Sequence, residues 1–140
     1  MVAAEELARV AAAVAAACAR EPAVRLAYLF GSALRGLPAA DLDIGLWLDP
    51  RASATEMLAA CDRVAAGIEQ AVRPSLPADV RPLNGAGPRL RFDVVAEGRL
   101  VHARDPGERP AIEAQWLSEW HDFEPFWRRQ VEAVLARGGR

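Results

Sequence analysis

Apolar positions along this chain follow two rhythms. From residue 3 to about 20 the chain is mostly alanine, with Leu7, Val10 and Val14 three and four apart. That spacing and that propensity predict a helix, and Pro22 follows its end. Val24 to Phe30 and Ile44 to Leu48 are short apolar runs, and they predict strands. Asp49-Pro50 breaks the second run, and Ser53 or Thr55 stands ready to cap a helix over about 54–72. Met57, Leu58, Cys61, Val64, Ala65 and Ile68 make its apolar side. Pro74 and Pro77 frame a loop. Asp79 to Leu83 reads as a short strand, and Pro82 marks it as an edge or as near its end. Asn84 to Pro88 is a turn. Residues 89–96 fit a strand or a helix, but Leu90, Val94 and Val95 suit a helix, with Gly98 as its C-cap. Leu100 to Ala103 is a last short strand. A long helix follows over about 110–137, and Pro125 inside it should kink or break it. These elements predict an α/β (α+β) fold: a small mixed β-sheet with helices packed on one face, in a single domain over 1–140.

The segment between the first two strands carries the chemistry. The first strand ends in Gly31-Ser32, and Asp41-Leu42-Asp43 leads into the second. Side-chain direction repeats every second residue on a strand, so Asp41 and Asp43 project together while Leu42 and Ile44 turn to the core. Two like charges about 4 Å apart repel by roughly 4 kcal/mol at an effective dielectric near 20. A divalent cation reverses that sign, and Mg²⁺ takes carboxylates together with substrate phosphate oxygens. Gly31-Ser32 lies across from the pair, where a backbone without a Cβ lets a phosphate approach. Arg35 is a guanidinium suited to a phosphate, or else a solvated loop arginine. A third carboxylate has two candidates, Asp79 and Asp93, each in a stretch that reads as a strand.

Gly31-Ser32, Arg35-Gly36 and Asp41-x-Asp43 resemble the signature of the DNA polymerase β-type nucleotidyltransferases. The likeness is strongest to the minimal nucleotidyltransferase (MNT) group, small proteins often encoded as antitoxins beside a HEPN-domain toxin. It continues through Ala78-Asp79-Val80 with Leu83-Asn84, through residues 89–99 and Arg104-Asp105-Pro106, and into Trp120 to Pro125. The loop from Ser32 to Asp41 is shorter than usual in that group, and Ala40 stands where it usually has serine. The resemblance implies a polymerase β-like fold and nucleotidyl transfer. It favours Asp79 over Asp93 as the third acid. Two Mg²⁺ ions would be held by Asp41, Asp43 and Asp79, and the nucleotide by Gly31, Ser32 and Arg35. It further implies an antitoxin that moves AMP from ATP to a tyrosine of a HEPN toxin. Two alternatives are an antitoxin that acts by binding alone and a small-molecule, aminoglycoside-type nucleotidyltransferase, the latter acting as a homo-oligomer.

Composition narrows the remaining classes. The net charge of −2 gives no electrostatic case for direct nucleic-acid binding. All 17 basic residues are arginine, so no lysine serves as nucleophile or phosphate ligand. Cys18 and Cys61 lie in helix-like stretches and read as buried thiols rather than a disulfide or a zinc site. His102 and His121 have too few partners nearby for a metal site. No run approaches the roughly 20 apolar residues of a membrane span, and the N-terminus does not read as a signal peptide. A cytoplasmic protein is expected. Trp116, Trp120, Phe123, Phe126 and Trp127 crowd one helix. Core packing is the default for them, and an exposed patch for a partner the alternative.

Overall fold

The structure, a computed structural model, describes residues 1–138. Its elements run α1 (Ala4–Ala19), β1 (Val24–Phe30), α2 (Gly31–Leu34), β2 (Leu42–Leu48), α3 (Ala54–Val72), β3 (Ala78–Pro82), α4 (Pro88–Glu97), β4 (Arg99–Ala103) and α5 (Arg109–Gly138). A 3₁₀ turn at Pro106–Glu108 precedes α5. The four strands form one mixed sheet in the order β3-β2-β1-β4. β1 pairs antiparallel with β2 and β4, and β2 pairs parallel with β3. The mixed α/β fold expected from the sequence is the one observed.

Ser53 caps α3, its side chain accepting from the Glu56 N–H at 3.1 Å. α1 and α3 lie on one face of the sheet. Val10, Val14 and Cys18 of α1 and Cys61, Val64 and Ile68 of α3 join Ala27, Leu29, Ile44 and Leu46 in one core. Leu58 falls beside this stripe and is 56 % exposed, unlike its expected place on the apolar side.

Helices on one face are only half of the arrangement. Leu26, Tyr28 and Phe30 alternate with Ala27 and Leu29, so β1 is apolar on both faces. The second face carries its own core, in which those three residues meet Leu83, Val94 of α4 and Trp116 of α5. Trp116 stands edge-on to Trp47, with ring centroids 5.6 Å apart. The Tyr28 hydroxyl donates to Glu113 at 2.8 Å, so its polar end is satisfied inside apolar packing. Gly45 admits this layer, since a Cβ there would stand 2.8 Å from Leu83 Cδ2.

Polar side chains tie distant segments together. Asn84 brackets the backbone of Leu48, accepting from its N–H at 2.9 Å and donating to its carbonyl at 2.8 Å. Arg104 donates to the carbonyls of Cys18, Glu21 and Val24, each at 3.0 Å. It thereby caps the end of α1 and joins it to β1.

Pro125, expected to kink or break the last helix, does not break it: α5 runs from Arg109 to Gly138. Proline withholds one N–H from the His121 carbonyl. Both residues are exposed, so solvent can serve that carbonyl and the helix continues. Every residue from 125 to 138 is exposed. The aromatic cluster therefore divides: Trp116 is core, whereas Phe126 and Trp127 are on the surface with Val131, Val134 and Leu135. Among the described residues no helix is long and apolar enough to cross a membrane.

Candidate active site

The carboxylates come together through strand register. Asp43 on β2 stands opposite Phe30 on β1 and opposite Asp79 on β3. Asp41 lies just before β2, two residues from Asp43 and so on the same face. Asp41, Asp43 and Asp79 each bring an oxygen to within 4.8 Å of the others, and all three are partly buried. They share the face of the second core, at the end where β2 begins. Asp93 is elsewhere. It sits on α4, its carboxylate 3.3 Å from Arg89.

The donor set is chemically that of a hard cation. Three carboxylates offer oxygen only, spaced as a divalent ion would draw them together, and they retain solvent access. Burial is the main influence that raises the Asp43 pKa above the usual carboxylate value; the charges of Asp41 and Asp79 add to it and Arg81 opposes it. A cation would remove that penalty.

Gly31 is held against this cluster. It has φ +84°, and a Cβ built there would collide with Asp43 Oδ2. Glycine is needed on both counts, for left-handed backbone and for space. Gly31-Ser32 opens the single helical turn α2, and both residues are partly exposed. Arg35 lies just past that turn. Its guanidinium pairs with Glu97 at 3.1 Å. It lines a cleft of about 230 Å³ with Phe30, Gly31, Arg89, Leu90, Asp93 and Glu97. Gly31 is thus the wall shared by the carboxylate cluster and the cleft.

Arg81 is the residue that sequence reasoning missed. Its Nη2 contacts Asp79 Oδ2 and lies 3.9 Å from Asp43 Oδ1. The signal was available: the two-residue period that pairs Asp41 with Asp43 puts Arg81 on the face of Asp79. The histidines and cysteines are not part of this cluster. His102 Nε2 is buried without a hydrogen-bond partner, and burial lowers its pKa. Cys18 and Cys61 are buried free thiols, pushed up to about 12 chiefly by burial. Neither histidine joins a metal-binding cluster among the described residues.

Comparison with known proteins gives this geometry a lineage. The sequence profile described as polymerase beta, nucleotidyltransferase matches residues 13–107. No curated protein matches the chain's sequence. Among solved structures, the toxin–antitoxin with AMP-PNP contains a chain that superposes with a TM-score of 0.65 at 16 % identity, over 94 % of this chain and 97 % of that one. A chain of the toxin–antitoxin MntA–HepT gives 0.61 at 16 % identity, over 84 % and 89 %. A chain of the tri-AMPylated Shewanella oneidensis HEPN toxin in complex with MNT antitoxin gives 0.62 at 17 % identity, over 84 % and 88 %. At such identities the likeness is one of fold. The profile match covers well over half of the sequence, including all four strands and the three clustered aspartates, and by it the chain belongs to the polymerase β nucleotidyltransferase family.

Proposed function

We propose that this protein is the antitoxin of a toxin–antitoxin pair and acts as a Mg²⁺-dependent nucleotidyltransferase, moving AMP from ATP to a tyrosine hydroxyl of a HEPN-domain toxin. The observation that carries the proposal is the convergence of Asp41, Asp43 and Asp79 beside Gly31 in a domain of this family. Those three aspartates would hold Mg²⁺. When bound, the metal neutralises phosphate charge and lowers the pKa of the attacking hydroxyl. The tyrosine oxygen attacks the α-phosphorus of ATP, the bond to the β-phosphate breaks, and pyrophosphate leaves. Asp79 would take the phenolic proton. Gly31 admits the triphosphate, and Ser32 hydrogen-bonds to it. Arg35, on the rim of the adjoining cleft, exchanges Glu97 for a phosphate oxygen.

Two further observations support a protein acceptor. One neighbour in fold is a chain of the complex between a tri-AMPylated HEPN toxin and an MNT antitoxin. The far end of α5 leaves Trp127, Val131, Val134 and Leu135 uncovered, which suits a helical partner. The experiment is co-expression with a HEPN-domain protein, sought in the gene adjacent to this one, followed by intact mass of that protein. Wild type should add one or more AMP groups and protect the cells. Asp41→Ala/Asp43→Ala should do neither. Protection by the double mutant, with the toxin's mass unchanged throughout, would establish the binding-only antitoxin instead.

A further inference from the structure

β3 lies flush beside β2, with Asp79 opposite Asp43 and Arg81 opposite Gly45. Gly45 has no side chain to engage Arg81 across the strand. The guanidinium folds back along β3 onto Asp79 and reaches toward Asp43. These two aspartates are the only acids it pairs with among the described residues. The Arg81 side chain is 46 % exposed, so it can leave without disturbing the core. A guanidinium and a divalent cation have the same use for these oxygens, and they cannot both take them.

We propose that Arg81 is a built-in counter-ion that occupies the carboxylate cluster in the resting protein and must be displaced before a divalent cation binds. This inference rests on the cation site proposed above. Its consequence is a linkage between metal and nucleotide. A nucleotide's phosphates offer the displaced guanidinium a new partner. Triphosphate and cation therefore assist one another through Arg81, and by reciprocity each raises the other's affinity by the same factor. The arginine keeps the three carboxylates together while the protein has no ligand, and it weakens binding of a cation that arrives alone.

The test is Mn²⁺ titration by calorimetry of the full chain and of Arg81→Gln, with and without AMP-PNP. Without nucleotide, Arg81→Gln should bind Mn²⁺ at least about fivefold more tightly than wild type. AMP-PNP should raise the Mn²⁺ affinity of wild type by a larger factor than that of Arg81→Gln. Arg81→Lys keeps the charge but loses the planar fork, and it should fall between the two. The ordering should survive high salt, which screens long-range repulsion but not contact with the carboxylates. In the wild-type NMR spectrum, Mg²⁺ should move the Arg81 side-chain Nε–H signal and speed its exchange with solvent. Melting curves confirm that each variant folds. Equal or weaker Mn²⁺ binding by Arg81→Gln, or an Arg81 signal unmoved at saturating Mg²⁺, overturns the gate and leaves the cation site standing. Absence of Mn²⁺ binding in wild type and Arg81→Gln alike overturns both.

Discussion

Asp43 is constrained from several sides. Register sets it between Asp79 and the end of β1, and Gly31 presses against its carboxylate. Burial, with two neighbouring acids, raises its pKa, and Arg81 compensates only in part. A carboxyl whose pKa is raised on folding favours the native state while protonated, and that contribution fades as the pH climbs through the raised value. In divalent-free buffer, Asp43→Asn should therefore be more stable than wild type at neutral pH. The gap should close as the pH falls toward the ordinary aspartate range near 3.8. Urea melts of both proteins at a series of pH values measure it, and a gap that widens in acid would contradict the assignment. The Asp41–Asp43 pair was legible in the sequence because a two-residue period needs only one strand. Asp79 and its sharing of a cation with Asp43 were legible through family resemblance, and the strand pairing that sets it directly opposite Asp43 was not. That pairing depends on the parallel register of β2 and β3, which nothing local to either strand encodes.

Elements with one dominant periodicity were legible in nearly their full extent. β1 and α3 match their expected bounds, and β3 is displaced by one residue. What escaped was layering. The sequence marks α4 as weakly amphipathic, and its burial against the second face depends on Tyr28, Leu83 and Trp116, which are far apart in sequence. Pro125 is the other departure, because its cost depends on surroundings that a local rule does not include. Proline in a helix interior costs about 3 kcal/mol relative to alanine. The exposed turns beyond it have no packing to offset that. Pro125→Ala should therefore slow amide exchange across residues 126–138 while moving the melting temperature little. Unchanged exchange there would show that those turns draw their order from elsewhere.

On the scale of the whole molecule, two cores sandwich the sheet, and one helix extends past them. The exposed end of α5 adds nothing to either core. Leu135, at 68 % exposure, should accept arginine without loss of stability. On the function proposed above, Leu135→Arg should keep the wild-type melting temperature and reduce co-purification of the HEPN partner. Retention of full binding would move the interface off this helix.

The strand order also has a temporal side. β1 is central, yet its two neighbours are made at different times. β2 follows it closely, whereas β4 and the Arg104 clamp on Cys18, Glu21 and Val24 come after residue 98. At roughly 5–20 residues per second, translation leaves an interval on the order of several seconds between β1 and β4. During that interval one edge of β1 has no pairing strand, and Leu26, Tyr28 and Phe30 have neither α4 nor α5 above them. An unpaired apolar edge is a template for the wrong strand. A ribosome stalled between β2 and β4 would thus leave open one edge of β1, a strand that is interior in the finished sheet.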